Sequence, residues 1–425
     1  GGLPFQNKFS NPNRESPNNS TTMALPTLPC NLDALPTVQA TLPDHLTEEI
    51  LLRVPTAADL ARASMAGPSL RRIIADHSFL RRFCALHPPP LLGVISCSFI
   101  PSEPPHPSAA AARALTDSDF SCSFLPSREP PWCRCDFRDG RALFCVVPDD
   151  RVLVRDFAVC DPLHRRYLLL PPVPQDVSDL VYHCQPFLAP AGEDDGTGIA
   201  ADASLRFRVM CLAKYQTQLV IFVFSSSGPH AGQWQTVAFD GWSTLVAGIS
   251  EDARSTICFG KRYYVHRCFC WAIPGNGINK LLMLHIRTME FSSINLPPGT
   301  RDCEVAFVEA SEERLGMFTL HFSPEDYAYH LWYAILVGIG DDPRQWQTED
   351  VVPLPHDYCY YTVGVAGGYL LLNGFPKNPD MRDPDCFSLN LQTMKLEHFC
   401  GASYVMPLQS ELYVGFPPSL SPPTI

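Results

Sequence analysis

The sequence predicts an α+β multidomain chain in which a small N-terminal helical module precedes a mainly-β domain, a β-propeller of six or seven blades. Three observations predict it. Apolar residues recur at helical spacing only between residues 42 and 83. From about residue 140 onward the pattern is short β-rich runs broken by Gly, Pro, Asn and Asp. And 42 of the 425 residues are proline, a density that ends helices and keeps strands short.

The helical module is read from its apolar period and its start signals. Leu46, Ile50, Leu51 and Val54 make a first run, Leu60, Ala61 and Ser64 a second, Leu70, Ile73 and Ile74 a third, and Phe79, Leu80 and Phe83 a fourth. Asp44 precedes the first run, Thr56 stands three residues before Asp59, Pro68-Ser69 opens the third run and Asp76 the fourth. Side-chain oxygens at such places accept from the free N–H groups of a helix start, so three or four short helices joined by tight turns are expected.

The β domain is read from its runs. Ala142–Val147, Arg151–Phe157, Leu205–Leu212, Leu219–Phe224, Tyr263–His266, Leu281–Ile286, Arg314–Phe318, Leu331–Val337 and Tyr369–Leu372 are expected strands, and Ala191–Ala203 a Gly/Asp/Ala loop. A repeat is visible. Gln233-Trp234-Gln235-Thr236, Gly260 with Tyr263-Tyr264, and Thr288-Met289 return as Gln345-Trp346-Gln347-Thr348, Gly367-Gly368-Tyr369 and Thr393-Met394, at offsets of 112, 107 and 105 residues. Two four-stranded blades of about 50 residues each span such an offset. The pairs Leu170-Pro171, Leu296-Pro297 and Leu354-Pro355 punctuate the same region. A single four-stranded sheet cannot cover both its faces, whereas radial stacking covers them. That favours a propeller over the alternative, a pair of β-sandwiches.

These readings divide the chain into a polar, Pro-rich segment (1–40), the helical module (41–87), a first strand with a Pro/Ala-rich linker (88–118), the β-repeat domain (119–416) and a flexible tail (417–425). Met23 is the first methionine, so residues 1–22 are set apart as an upstream stretch or a fragment edge.

Net charge and motif content narrow the function. A formal charge of −12 argues against a phosphate-binding face, so nucleic acid is not an expected partner. The longest apolar stretch, Leu331–Gly340, is too short to cross a bilayer, and no membrane partner is expected. Seventeen cysteines, odd in number and scattered along apolar segments, read as reduced, buried thiols of a cytosolic or nuclear protein. Cys133/Cys135 and Cys268/Cys270 are Cys-x-Cys pairs. Structural zinc sites favour Cys-x₂-Cys on turns, so packing is the preferred reading and no metal or cofactor is expected. Gly196–Ala201 formally fits a dinucleotide loop but follows Glu193-Asp194-Asp195 instead of a buried strand. Gly241–Leu245 lacks the last glycine of a nucleophile elbow. His183, His266, His285 and His321 stand singly. No catalytic set converges, and the chain is not expected to be an enzyme.

The run Leu42-Pro43-Asp44-His45-Leu46-Thr47-Glu48-Glu49-Ile50-Leu51-Leu52-Arg53-Val54-Pro55 resembles the start of an F-box. Leu42, Pro43, Leu46, Glu49, Ile50, Leu51, Arg53 and Pro55 match that family's pattern, and Asp59–Ala63 and Ile74–Phe83 continue it. The departure is Ser64–Leu70, where Leu70 takes the slot of a usual Trp and Gly67-Pro68 interrupts. Cys160-Asp161-Pro162-Leu163, Leu170-Pro171-Pro172 and Gly367–Leu372 are similar to the grass F-box proteins that carry a propeller-like associated domain. The resemblance implies a plant substrate-recognition subunit of a Skp–cullin–F-box ubiquitin ligase. Its F-box would dock on a Skp-type adaptor, and through it a cullin, while the β domain holds a protein substrate that the sequence does not name. The residues expected to touch the adaptor are Leu42, Pro43, Leu46, Ile50, Leu51, Val54, Pro55 and Leu60, some of which could instead only pack the module's own core. Two other readings stay open: an interaction protein with a decayed F-box, and a propeller enzyme.

Overall fold

The computed structural model describes residues 42–425 apart from 148–152, 175–180, 191–204, 250–253, 255–256, 275–278, 301–302, 339–344, 379, 381–382, 402–404 and 406–409. The expected segment 1–40, the loop 191–203 and the formal dinucleotide motif lie outside the described residues.

Four short helices come first: α1 (Asp44–Leu51), α2 (Ala57–Ala66), α3 (Pro68–Ile74) and α4 (His77–Leu86). Their starts are set by the residues the sequence marked. The Thr56 hydroxyl accepts from the Asp59 N–H at 3.1 Å. The Asp76 carboxylate accepts from the N–H groups of Ser78 at 2.9 Å and Phe79 at 3.1 Å. Those two hydrogen bonds and the Ser78 hydroxyl hold the Asp76 carboxyl below its ordinary pKa. Gly67 is extended and Pro68 opens α3, whose first turn needs no N–H from it.

Six sheets follow. Blade II is β3 (Trp132–Arg138), β4 (Arg141–Val146), β5 (Phe157–Asp161) and β6 (Arg166–Leu169). Blade III is β7 (His183–Ala189), β8 (Arg208–Lys214), β9 (Leu219–Ser225) and β10 (Trp234–Phe239). Blade IV is β11 (Arg262–Val265), β12 (Cys268–Ile273), β13 (Lys280–His285) and β14 (Glu290–Asn295). Blade V is β15 (Val305–Glu309), β16 (Leu315–Ser323), β17 (Ala328–Val337) and β18 (Gln345–Pro353). Blade VI is β19 (Tyr358–Ala366), β20 (Tyr369–Pro376), β21 (Asp385–Asn390) and β22 (Leu396–Gly401). Blade I joins both ends of the domain: β1 (Leu91–Ile95) pairs antiparallel with β2 (Phe99–Pro101) and with the C-terminal β23 (Glu411–Val414). Each blade is antiparallel throughout, and the innermost strands β23, β3, β7, β11, β15 and β19 form the ring. The domain is a six-bladed β-propeller.

Burial follows from radial stacking. The second and third strands are covered on both faces by neighbouring blades, so β4 and β5 are buried at every residue, whereas the outer strand β6 is exposed at every residue. Phe269 and Trp271 of β12 meet Phe187 of β7 with ring centroids 4.7 and 6.1 Å apart, and Trp271 donates its indole N–H to Gln185 at 2.7 Å.

The sequence repeat is real in two of its three parts. Trp234 and Trp346 sit at matching places on the fourth strands β10 and β18. Each indole N–H donates to a carbonyl just past or at the end of the preceding blade's fourth strand, Pro171 at 2.6 Å and Asn295 at 3.2 Å. Met289 and Met394 hold the same positive-φ place in the turn between third and fourth strands, and each N–H returns to the residue four before it at 2.8 Å. The Leu-Pro pairs leave the fourth strands of blades II, IV and V. Leu170, Leu296 and Leu354 are buried there, and each N–H bonds a carbonyl at the start of the third strand. The match of Gly260 to Gly367-Gly368 fails. Gly367-Gly368 is the tight turn between first and second strands, and its counterparts are Asp139-Gly140 and His266-Arg267, all at positive φ. Replacing Trp234 by Phe keeps the ring but removes a hydrogen bond between blades. A loss of about 1 kcal/mol in chemical denaturation is expected.

Three further expectations are corrected. Of the expected strand Arg151–Phe157, the described part 153–156 is not a strand: β5 begins at Phe157, and Leu153 and Val154 are buried without strand pairing. The first strand expected at the head of 88–118 is β1, and the stretch expected as linker holds a helical turn, α5 (Ala109–Ala112), with Ala112 and Leu115 buried in the cover of blade I. The tail 417–425 is docked: Leu420 is buried, and Thr424 donates its N–H and hydroxyl to Asp161 at 2.8 and 2.9 Å.

Candidate functional site

Two features of this fold carry the candidate side chains: the first helix, and the channel lined by the inner strands.

The helical module has a core of its own. Leu51, Leu52, Leu60, Ile73, Ile74, Phe79, Leu80 and Phe83 are buried together with Phe416 and Leu420 from the C-terminal segment. Leu51 and Leu60, expected among the docking residues, are therefore core: Leu60 is fully buried, and Val54 packs half-buried against the same cluster. Helical spacing brings a residue to the apolar face of its own helix before it brings it to a partner, and here the core claims both. Pro55 is exposed. On α1, Leu46 and Ile50 lie one turn apart and point away from that core, 45 % and 58 % exposed. Leu42 and Pro43, just before α1, are exposed too, Leu42 at 51 %. Exposed ion pairs flank the helix: Asp44 with Arg72 at 2.6 Å, and Arg82 with Glu48 at 3.1 Å and Glu49 at 2.9 Å. Exposed pairs of this kind hold an orientation and add little stability.

Replacing Leu60 by Asp puts an uncompensated carboxylate into the core of the module. The four helices are expected to lose their protection in hydrogen exchange while blades II to VI keep theirs.

The channel is lined by the inner strands and encloses about 520 Å³. Its centre is an ionic network. Asp136 of β3 is buried. It accepts from the Leu188 N–H at 2.6 Å and from the Arg262 guanidinium at 2.7 Å. Arg262 stacks on Phe187, with its guanidinium carbon 4.4 Å from the ring centroid. Arg134 donates to the carbonyls of Ile95 and Ser96 at 3.3 and 2.7 Å. At one side Lys261 lies 3.7 Å from Glu304 and donates to Thr362. Further along, the Arg138 guanidinium lies 4.8 Å above the ring of Tyr264. Glu411 of β23 faces the same space. Burial pushes its carboxyl up to about 8, with Asp136 adding to the rise against the pull of Arg262, Arg134 and Arg138.

Sequence reading missed this network, since its members come from strands of different blades, far apart along the chain. One signal was available: Arg134, Asp136 and Arg138 alternate along one first strand.

The cysteines are free thiols at every described position. Cys133, Cys97 and Cys258 are exposed, so burial holds for only part of the set. Among the described residues no group of three or more His, Cys, Asp or Glu is arranged to hold a metal ion, and no helix is long and apolar enough to cross a membrane. Ser243 lies in a single helical turn, α6 (Trp242–Leu245).

Fold and site together define a β-propeller protein with an N-terminal helical module. No family model matches the chain, and no curated protein matches it. Solved structures align in part. A GH32 beta-fructofuranosidase of Bombyx mori in complex with sucrose aligns at TM-score 0.32 and 10 % identity, over 63 % of this chain and 61 % of that one. A prolyl oligopeptidase B of Galerina marginata aligns at TM-score 0.32 and 10 % identity, over 63 % and 37 %. A GH93 alpha-L-arabinofuranosidase of Fusarium graminearum, in complex with arabinobiose, aligns at TM-score 0.33 and 11 % identity, over 64 % and 81 %. The chain thus spans less than two thirds of the first two, and likeness at this level says nothing of activity.

Proposed function

We propose that this chain is the substrate-recognition subunit of a Skp–cullin–F-box ubiquitin ligase, with α1 and the residues before it docking on the adaptor and the propeller binding a protein substrate. One observation carries the reading. The residues expected to touch the adaptor divide into two sets, and the set not needed for the module's core, Leu42, Pro43, Leu46, Ile50 and Pro55, is exposed. Exposed leucine and isoleucine one turn apart on a short helix cost solubility, and burial against a partner returns about 25 cal/mol per Å² of apolar surface. The propeller then supplies a rigid platform whose loops choose the substrate. No bond is made or broken by this chain. It holds substrate near a charged enzyme and so raises effective concentration.

The test is co-purification of the full chain with a Skp-type adaptor. Substituting Leu46→Asp and Ile50→Asp together should abolish capture while leaving the thermal unfolding transition in place, since neither side chain is in the core. Leu51 is unsuitable for the same purpose, because its substitution attacks the fold. Capture of the folded double variant at the wild-type level would sink the proposal. An intact fold with no capture of the adaptor by the wild type would favour an interaction protein acting outside a ligase.

A further inference from the structure

The channel lining carries three cations, Arg138, Lys261 and Arg262, and three carboxyl groups, Asp136, Asp139 and Glu411. Arg262 is paired with Asp136, Lys261 with Glu304, and Arg134 with two carbonyls. Arg138 forms no ion pair at contact distance among the described residues, although its charge acts on the Glu411 carboxyl. Its guanidinium rests on Tyr264 and Phe269, at 4.8 and 5.6 Å. Asp139, the other carboxylate of the lining, is exposed in the turn beyond β3. The Glu411 side chain makes no hydrogen bond among the described residues, and Glu411 lines the same cavity. The wall beside β23 is Val363-Gly364-Val365-Ala366-Gly367, small and uncharged. The enclosed volume lies in the range of about 300–1,000 Å³ that holds small organic ligands.

We propose that the propeller channel binds a small organic oxyanion, a carboxylate or a phosphate ester, with Arg138 as its ionic partner and the Glu411 carboxyl as a hydrogen-bond donor. An arginine held flat on an aromatic ring keeps its N–H edge aimed in one direction and loses little freedom when it takes an anion. A neutral carboxylic acid can donate to that anion, whereas a carboxylate repels it. The groups that face Glu411 are Arg134, Asp136 and Arg138 of β3 and Arg262 of β11. Its pairing partner on β1 is Ile95, and β19 presents only uncharged residues. Since the Glu411 carboxyl is raised to about 8, it is neutral below that pH and charged above it. Anion affinity should therefore fall as pH rises through that value. The inference goes beyond the adaptor reading and rests only on the propeller.

The experiment is calorimetric titration of the full chain with succinate and, separately, with sulfate as a fixed-charge stand-in for a phosphate ester, at pH 6.5 and 9.5. Saturable binding of at least one anion at pH 6.5 is expected, and the tighter of the two identifies the ligand's class. Arg138→Gln should weaken it about ten-fold, the size of a lost charged hydrogen bond. The wild type should bind more weakly at pH 9.5, and Glu411→Gln should remove that pH dependence. No saturable binding of either anion to the folded wild type overturns the proposal, and so does undiminished affinity in folded Arg138→Gln. If Arg138→Gln does not fold, the Glu411→Gln profile decides: a pH dependence unchanged from wild type overturns the proposal. Neither substitution touches α1, so failure here leaves adaptor capture standing.

Discussion

Deleting residues 411–425 is expected to abolish cooperative folding of the whole described region. β23 supplies the inner strand of blade I, with Leu91, Gly93, Val94 and Ile95 paired to Val414, Tyr413, Leu412 and Glu411. It also lies between β19 and β3 in the ring. Without it the ring is open and blade I keeps only the short hairpin β1–β2, which is marginal alone. Tyr413 is nearly fully buried and meets Phe99, Phe120 and Phe137 at 5.6, 5.0 and 5.1 Å between ring centroids. Phe416 and Leu420 leave the helical core with the same cut, and Asp161 and Arg141 lose the N–H, hydroxyl and carbonyl of Thr424. A graded version of the test is Tyr413→Ala, which should cost about 3–5 kcal/mol. Denaturant unfolding followed by tryptophan fluorescence reads both. A truncated chain that unfolds in one transition at the wild-type midpoint would contradict the closure described here.

The second large effect is at Asp136. Its buried carboxylate joins blade II to blade III through the Leu188 N–H and to blade IV through Arg262. Asp136→Ala leaves a buried guanidinium without its counter-charge and an N–H without an acceptor. A destabilisation of about 3–5 kcal/mol is expected. Removing both charges, as Asp136→Leu with Arg262→Met, should be milder than the single change, because the large cost lies in leaving one charge alone. The cycle is read in denaturant midpoints at pH 7. Asp136→Ala should also lower the Glu411 pKa, since Asp136 is one of the causes of its rise. The sign for stability follows. A carboxyl whose folded pKa stands above its unfolded value costs stability as pH climbs through the interval from about 4.5 to about 8. Glu411→Gln should thus stabilise the protein progressively over that range and by a constant amount above it, an effect visible in thermal unfolding across pH.

How much of this was legible beforehand depends on the range of the interaction. The helix starts were legible because capping is local: Thr56 and Asp76 act within three residues. The blade repeat was legible through Trp234, Trp346 and the Leu-Pro exits, since each blade solves the same local problem of ending its outer strand. The false match of Gly260 with Gly367-Gly368 arose where spacing substituted for turn geometry, which needs two successive positive φ values. Closure by β23 was not legible, because Glu411–Val414 is a four-residue run whose partner lies more than 300 residues earlier. The channel stayed hidden for the same reason. Its charges come from β3, β11 and β23, and only the ring brings them together. In the helical module, spacing alone could not separate core from partner: Leu51 of α1 and Leu60 of α2 fit a docking face by sequence and fill the module's own interior.

The central claim is that α1 and the residues before it form the docking face for the adaptor. Hydrogen exchange of the full chain, alone and with a Skp-type adaptor, tests it directly. The account predicts added protection concentrated in residues 42–55 and its loss in the Leu46→Asp, Ile50→Asp variant. Protection confined to the blades, or none at all with a saturating adaptor, would contradict it.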